Sequence, residues 1–413
     1  MAGAIFVVAG PSATQQGPVA ALLSTAGWAS AAGRLLGASW LVTPGGIVNP
    51  TAARRWGSDP ALRSADGTRL RRWLPDVAKT AVKDMRTWRR SRRFRIDASG
   101  PWSRNEVAFV WQRHELFQDA GLRLARTLGV PSVLFVPAVQ VQEAEQWGTR
   151  RPGWGRWLER RAERPALLAA DVVACGSEAV AEQVLRAGVR ERQVLVTPTG
   201  VDLAVFAQPP DATQLRRRLG LEGRFAVGWV GSFRPFHALE QVVEAVATVS
   251  GATLLIVGDG PERRRIEGLA DALDVRATFT GTVPHHQLPA YLAAMDVAVL
   301  LAPPGEPFHY SPLKLAEYLA AGLPVVAPGI GQLDERLTDG VDAILVPPHD
   351  VGALSAALVR LRDDPDERAR LGKAARAAAE AEWSWEHQVQ RVVEAVTEVS
   401  VDAERLVASM PHG

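Results

Sequence analysis

The chain alternates between two hydrophobic patterns. Short apolar runs, typical of buried strands, are followed by stretches in which apolar residues recur every third or fourth position, as on one face of a helix. The alternation continues through nearly the whole sequence. It predicts an α/β protein built from parallel βαβ units, with helices on both faces of each sheet.

Both halves of the chain show this alternation, and each is predicted to form a Rossmann-like domain. Strands of the first half are predicted at Ala4–Ala9, Ser39–Val42, Val107–Trp111, Ser132–Val136, Asp171–Ala174 and Val194–Thr197. Strands of the second half are predicted at Ala226–Val230, Thr253–Val257, Ala277–Thr280, Val297–Leu301, Val325–Ala327 and Ala343–Val346. Helices such as Leu116–Leu128 and Glu178–Ala187 separate the strands. The Pro209-Pro210-Asp211 interruption is the natural linker, so we expect domains at residues 1–208 and 209–382 and a helical tail over residues 383–413.

Composition fits a folded protein of this kind. The chain has 413 residues, of which 47% are hydrophobic and 22% charged, which allows two domains and argues against disorder. Its one cysteine, Cys175, lies in an apolar run and is expected to be a buried small hydrophobe in a reducing compartment. The apolar run at Ala4–Ala9 is too short for a signal sequence, and no segment approaches membrane-spanning length. We therefore expect a cytoplasmic protein.

Charge is unevenly distributed, although the formal net charge is only +2. Residues 69–95 contain eleven lysines and arginines against Asp76 and Asp84. Leu70, Trp73, Val77, Val82, Met85 and Trp88 recur there at helical spacing, so part of the segment is predicted to be an amphipathic helix with a cationic outer face. It is either a solvated arginine-rich helix or a surface for anionic lipid headgroups or a phosphorylated acceptor, which would place the protein peripherally on the cytoplasmic face of a membrane. No nucleic-acid-binding motif accompanies it.

The stretch YSPLKLAEYLAAGLPVV carries the strongest chemical signal. Ser311 is a good N-cap, Pro312 suits the first helical turn, and the backbone N–H groups of Leu313 and Lys314 have no partner inside the helix. Such a helix start and the Lys314 ammonium favour a diphosphate, and Glu317 can accept hydrogen bonds from a ribose diol. The alternative is an ordinary capped helix whose charged side chains are only solvated.

Two glycine turns follow predicted strands of the same half. Gly231 comes directly after the strand at Ala226–Val230 and allows a phosphate to approach the backbone closely. The Gly258-Asp259-Gly260 turn follows the next strand, at the carboxyl end where open α/β sheets bind ligands. A tight turn that merely ends a strand is the alternative for the second.

Taken together, these segments resemble glycosyltransferase family 4. The resemblance runs from about Val196 to Trp385. It implies the GT-B fold, in which two Rossmann-like domains face each other across a cleft and the last helix crosses back to the first domain. It also implies transfer of a hexosyl group from a UDP- or GDP-type nucleotide sugar, with retention at the anomeric carbon and without a metal or other cofactor. A nucleotide-sugar epimerase of the same fold and a non-catalytic partner subunit are the alternatives.

The resemblance also implies roles for individual residues, and the chain departs from the family pattern at three positions. Ser232 and His237 stand where the family usually has arginine and lysine, and Arg234 between them takes over the positive charge or is a surface residue. His309 stands where a glutamate is expected, eight positions before Glu317, and is a candidate donor to the sugar or its phosphate. The loop at Val283 lines the nucleobase in the family.

The first half supplies candidates for the acceptor side. Arg113 and His114 follow the predicted strand at Val107–Trp111, and they contact the acceptor, stabilise the leaving phosphate or are simply solvated. The first βα loop, residues 10–17, is expected to close over the diphosphate. The Asp364-Pro365-Asp366 sequence matches a metal-binding pattern but lies at a predicted helix start, where acidic residues are expected as caps, so no metal site is predicted.

Overall fold

The structure is a computed structural model that describes residues 3–9, 19–53, 75–146, 148–208, 210–302 and 313–408. The described chain divides into two compact units. The first contains the described residues up to Pro198 and those from Trp385 onwards. The second contains the described residues from Thr199 to Ser384.

Each unit is built on one sheet. The first sheet contains β1 (Gly3–Val7), β2 (Ala38–Thr43), β3 (Gly46–Val48), β4 (Val107–Arg113), β5 (Ser132–Val136), β6 (Val172–Cys175) and β7 (Val194–Val196). The second contains β8 (Phe225–Val230), β9 (Ala252–Val257), β10 (Ala277–Phe279), β11 (Val297–Val299), β12 (Val325–Pro328) and β13 (Ile344–Val346). A strand occurs at each of the predicted positions, and only the short β3 has no counterpart in the prediction.

The helices follow the strands in alternation. In chain order they are α1 (Val19–Leu36), α2 (Pro50–Ala53), α3 (Asp76–Arg93), α4 (Ala120–Leu128), α5 (Gln140–Gln146), α6 (Gly155–Leu158), α7 (Arg164–Ala169), α8 (Glu178–Arg186), α9 (Thr213–Arg218), α10 (Glu240–Ala247), α11 (Arg263–Ala272), α12 (Leu288–Ala293), α13 (Leu313–Ala320), α14 (Gln332–Arg336), α15 (Val351–Asp363), α16 (Pro365–Glu382) and α17 (Trp385–Ala408). None of the described helices is long and apolar enough to cross a membrane. The Asp364 carboxylate accepts a hydrogen bond from the Glu367 N–H at 2.8 Å, so it caps α16 as predicted.

Strand order explains where a ligand can bind. The first sheet has the order β3-β2-β1-β4-β5-β6-β7, parallel except for the antiparallel pair β2 and β3. The second is wholly parallel, with the order β10-β9-β8-β11-β12-β13. This is the order of dinucleotide-binding sheets, in which β8 and β11 flank the point where the chain changes direction. Ligands of such sheets bind outside the carboxyl ends of the strands at that point.

An aromatic cluster fixes the last helix to the first unit. The Trp28 ring on α1 lies 5.7 Å from Trp111 on β4 and 5.5 Å from Trp385 at the start of α17. A Cβ atom at Gly27 would lie only 2.5 Å from the Trp385 ring, so the glycine makes room for it. Each aromatic pair contributes about 0.5–1.5 kcal/mol beyond the burial of its area.

The chain passes into the second unit earlier than the predicted linker at Pro209. Val201 pairs with Ser384, and its N–H donates to the Trp383 carbonyl at 2.7 Å. The Phe206 carbonyl accepts a hydrogen bond from Arg376 on α16 at 2.7 Å. These contacts hold residues 199–206 on the second unit, which is why the division falls at Pro198 and Thr199.

Two local features depart from the hydrophobic pattern. Helix α4 begins at Ala120 rather than at Leu116, because Phe117 has a φ of 66°, a left-handed conformation that interrupts a helix. The Cys175 thiol is buried, as expected, and burial raises its pKa to about 12.

Candidate functional site

The loops that follow β8, β9 and β10 are joined by backbone hydrogen bonds. The Gly231 N–H donates to the Val257 carbonyl at 2.9 Å, and the Phe233 N–H donates to the Asp259 carbonyl at 3.1 Å. The Gly258 N–H donates to the Gly281 carbonyl at 2.9 Å. The three loops therefore form one surface at the carboxyl ends of the central strands.

Glycine is required in this surface because the loops touch through their backbones. A Cβ atom at Gly258, whose φ is 138°, would lie 1.8 Å from the Gly231 carbonyl oxygen. A Cβ atom at Gly260 would lie 2.6 Å from the Phe233 nitrogen. The exposed Asp259 carboxylate accepts from the Gly260 N–H at 2.7 Å and pairs with Arg263 at 3.4 Å, so it stabilises the turn. The Gly258-Asp259-Gly260 turn thus shapes the loop that follows β8.

Lys314 lies against the first of these loops. Its ammonium nitrogen is 3.9 Å from the centroid of the Trp229 ring, a cation–π contact. A Cβ atom at Gly231 would lie 2.9 Å from the same nitrogen. Since the Gly231 N–H is already bonded to a carbonyl, this glycine contributes space for the lysine rather than a donor for a ligand.

Burial makes the Lys314 charge sensitive to its surroundings. It lowers the pKa of the ammonium to about 7, and the negative charge of Glu317 opposes that change. A cation in this state gains more from an anionic ligand than a fully solvated lysine, because the ligand restores interactions that burial removed.

The other candidate cations of the loop differ from each other. Arg234 is exposed, and its N–H donates to the Ser232 carbonyl at 2.9 Å. His237 is buried, with its ring 5.2 Å from the Trp229 ring. Burial, together with Lys314 and Arg234 nearby, lowers the pKa of His237 to about 2. Ser232 is exposed at the start of the loop.

Glu317 has a partner that its own helix does not provide. The carboxylate is 5% exposed, and its Oε1 atom lies 2.8 Å from Nε2 of His285, in the loop after β10. Val283, half-buried, is two positions earlier in that loop. The residues predicted to contact ribose and nucleobase are therefore joined through His285.

Tyr318 anchors the same helix to the sheet. Its hydroxyl accepts a hydrogen bond at 2.8 Å from the N–H of Val230, which is the last residue of β8. The Tyr318 side chain is fully buried. Burial raises the pKa of the hydroxyl well above its usual value. This contact fixes the start of α13, with Lys314 and Glu317, beside the loop of Gly231.

Several predicted residues lie outside the described part of the chain. They are His309, Ser311, Pro312 and the first βα loop at residues 10–17. Leu313 is the first described residue of α13 and is half-buried.

In the first unit, the two acceptor-side candidates have different surroundings. Arg113 is half-buried at the end of β4, with its guanidinium carbon 5.9 Å from the Phe135 ring, and burial lowers its pKa. His114 is fully buried, with Nε2 3.0 Å from the Glu163 carboxylate. Glu163 also accepts from the N–H groups of Gln140 and Val141, at 2.5 and 3.3 Å. His114 thus ties the end of β4 to the segment between α6 and α7, and its acceptor-side role stays a prediction.

Sequence reasoning missed His285, Tyr318 and Trp229. His285 stands 32 positions before Glu317, and Trp229 and Tyr318 look like ordinary core aromatics of a strand and a helix. The one sequence signal for these three residues is the hydroxyl of Tyr318, which stands directly after Glu317.

Family models match both halves of the chain. Residues 46–205 match the model described as Glycosyltransferase Family 4, and residues 224–364 match the model described as Glycosyl transferases group 1. The chain belongs to the group 1 glycosyltransferases of the family 4 type.

Curated relatives match over part of their length. A 2-deoxystreptamine glucosyltransferase of Streptomyces kanamyceticus is 33% identical over 264 residues, which are 60% of this chain and 65% of that protein. A GDP-mannose-dependent monoacylated alpha-(1-6)-phosphatidylinositol monomannoside mannosyltransferase of Corynebacterium glutamicum is 32% identical over 205 residues, 47% of this chain and 54% of that protein. The chain spans less than two thirds of the length of these relatives.

Solved structures show the same fold. HepE of Anabaena in complex with UDP has a TM-score of 0.64 and 18% identity, covering 96% of this chain and all of that one (100%). The sucrose-phosphate synthase of Thermosynechococcus elongatus has a TM-score of 0.65 and 21% identity, covering 97% and 100%. The chain has the GT-B fold with two Rossmann-like domains, as predicted.

Proposed function

We propose that this protein is a glycosyltransferase that transfers a sugar from a nucleoside diphosphate sugar, of the UDP or GDP type, to an acceptor. The observation that carries the proposal is the pairing of Lys314 and Glu317 on one turn of α13. Lys314 is a cation beside the glycine loop after β8, and Glu317 is a buried carboxylate held by His285. A diphosphate needs a cation such as Lys314, and a ribose diol needs a hydrogen-bond acceptor such as the Glu317 carboxylate.

The relatives support this donor class. The names of the Streptomyces and Corynebacterium relatives describe glycosyl transfer, and the latter describes dependence on GDP-mannose. HepE was also solved with UDP-glucose. Neither the base nor the sugar follows from these names, so UDP and GDP donors are both proposed.

The residues take the following roles. Lys314, with Arg234 and the start of α13, stabilises the charge that develops on the departing diphosphate, so bond cleavage to the anomeric carbon needs no strong base. Glu317 binds the ribose, and the loop of Val283 lies against the base. Ser311, Pro312 and Leu313 remain proposed phosphate contacts, and His309 a proposed contact to the sugar. Retention of configuration, without a metal or other cofactor, is carried over from the family.

The acceptor side is proposed from the first unit. Arg113, half-buried at the end of β4, is its candidate cation. Helix α3, which forms most of the described part of the basic segment 69–95, fits a lipid-linked or otherwise anionic acceptor and peripheral binding to the cytoplasmic face of a membrane. Salt-sensitive pelleting with anionic but not neutral liposomes tests the membrane contact, and equal pelleting with both would reject it.

Calorimetry with UDP and GDP tests the donor site. Glu317→Ala should weaken binding of the preferred nucleotide about 10- to 100-fold, because a buried hydrogen-bonded carboxylate is lost. Glu244→Ala, which removes an exposed carboxylate on α10, should leave binding unchanged. Unchanged affinity of the Glu317→Ala protein would refute the site.

A donor panel separates the alternatives. Thermal stabilisation by one nucleotide sugar, with product formed only when an acceptor is added, supports a transferase. Conversion of the donor without an acceptor would indicate an epimerase. Absence of a shift with every donor would indicate a non-catalytic subunit.

A further inference from the structure

An apolar groove opens on the first unit, beside the cationic helix α3. Its volume is about 330 Å³, at the lower end of the range for small-molecule sites. The lining is almost entirely apolar and includes Met85, Trp88, Phe117, Trp154, Trp157 and Leu158. Met85 is 45%, Trp88 39% and Trp157 53% exposed. Large apolar side chains are seldom left open to water in such a cluster.

Buried polar contacts hold the groove open. Asp84 on α3 accepts hydrogen bonds from Arg151 at 2.9 Å and from the Trp154 indole N–H at 3.0 Å. A second bond from Arg151, at 3.2 Å, makes the ion pair bidentate. Because this pair is buried and links α3 to the segment before α6, it fixes the position of the groove lining.

Phe117, another residue of the lining, is held in an unusual conformation. Its φ of 66° is one that bulky residues rarely adopt, and its N–H donates to the Ala162 carbonyl at 3.2 Å. Strained backbone of this kind concentrates at binding sites, where the surrounding structure maintains it. Its position in the groove is an observation independent of the exposed tryptophans.

The rim of the groove is positively charged. Helix α3 carries seven lysines and arginines against two aspartates, and Asp84 is neutralised by Arg151. The guanidinium of Arg92 lies 5.0 Å from the Trp88 ring, which brings positive charge to the edge of the apolar surface. Six exposed cations of α3 have no carboxylate partner within the part of the chain that the structure describes: Lys83, Arg86, Arg89, Arg90, Arg92 and Arg93.

We propose that this groove binds the hydrocarbon chain of an anionic lipid whose phosphate lies on the arginines of α3. A chain without polar groups matches a lining that offers almost no polar partner, and a phosphate matches the unpaired cations. A cationic acceptor would be repelled by the same rim. This inference deepens the proposed function and rests on it, because the groove is taken to be part of the acceptor side.

Vesicles with brominated acyl chains test the proposal on the full chain, because bromine quenches tryptophan fluorescence on contact. Equimolar phosphatidylglycerol and phosphatidylcholine vesicles should bind the protein and quench it, whereas phosphatidylcholine vesicles should not. The double variant Ala81→Gln, Met85→Gln keeps every tryptophan and places polar side chains in the groove. It should bind the anionic vesicles about tenfold more weakly and lose most of the quenching.

Three further variants sharpen the test. Trp157→Phe should keep the affinity but reduce the quenching, which identifies the groove as the point of contact. Leu35→Gln changes a residue on α1 that is 46% exposed and should alter neither. Arg89→Gln should weaken binding about fivefold and reduce its salt dependence.

Several results would overturn the proposal. Equal binding and quenching of the double variant would show that charge alone holds the protein to the vesicle. Full competition by glycerol phosphate would show a phosphate site without a chain site. Binding to a single-stranded oligonucleotide but not to vesicles, or a dimer that the double variant abolishes, would assign the surface to another partner. Nucleotide affinity, measured on every variant, should not change, and its loss would bear on the proposed function instead.

Discussion

At the proposed donor site, the pKa of Lys314 predicts that nucleotide binding depends on pH in a defined direction. In the free protein, burial lowers the pKa of this ammonium to about 7. A bound diphosphate supplies negative charge and raises the pKa again. Binding above pH 7 therefore requires the uptake of a proton, so the affinity is fully present below about pH 7 and is lost as the pH rises.

The magnitude follows from the fraction of protein that carries the charge. About half of the lysine is protonated at pH 7 and about one hundredth at pH 9, so affinity should fall about 50-fold over this range if the bound lysine stays protonated. The second ionisation of the nucleotide phosphate, near pH 6, is about 90% complete at pH 7, so it changes the affinity little over this window. His237, which faces Lys314, adds no step of its own in this window, because burial lowers its pKa to about 2.

Calorimetry in two buffers of different ionisation enthalpy measures the proton uptake directly. Wild-type protein should take up about half a proton per nucleotide at pH 7 and nearly one at about pH 8.5. Lys314→Met should bind about 10- to 100-fold more weakly at pH 7 and show no uptake above it, because the titrating group is gone.

An affinity that does not change between about pH 7 and about pH 9 would contradict the proposed role of Lys314. The same proton uptake in the Lys314→Met protein would contradict that role equally.

Three further substitutions test the surroundings of the site. Gly258→Ala should unfold the loop surface and abolish nucleotide binding, since its Cβ atom would lie 1.8 Å from the Gly231 carbonyl oxygen. His285→Ala should weaken nucleotide binding about 3- to 30-fold without changing the melting temperature greatly, because it frees the Glu317 carboxylate from its partner. Tyr318→Phe should destabilise the protein by about 1–3 kcal/mol, measured by thermal unfolding, because a buried N–H loses its acceptor.

Matched controls accompany these variants. Gly268→Ala changes a helical glycine with open space around it and should be neutral or stabilising. His286→Ala changes the exposed neighbour of His285, and Tyr291→Phe changes a half-buried tyrosine on α12. A control that behaves like its partner variant would contradict the specific contact invoked for that partner.

Local pattern accounts for most of the fold. Each strand of the second sheet occurs where an apolar run predicts one, because consecutive buried residues leave the chain few alternatives. The prediction failed where backbone conformation, not hydrophobicity, decides. The start of α4 is set by the positive φ of Phe117, and β3 has only three residues, too few to show a periodicity.

The pattern of residues predicts the α/β architecture and places a cation and a carboxylate one turn apart on α13. The contacts and the protonation of these groups depend on the tertiary structure. His285 contacts Glu317 although it stands 32 positions earlier, and the Lys314 ammonium lies over the Trp229 ring. Burial keeps His237 neutral, and His114 is fully buried. The groove beside α3 likewise exists only because Asp84 and Arg151 bring distant segments together. Periodicity encodes which face of an element is buried, but pairing and protonation depend on which distant element covers that face.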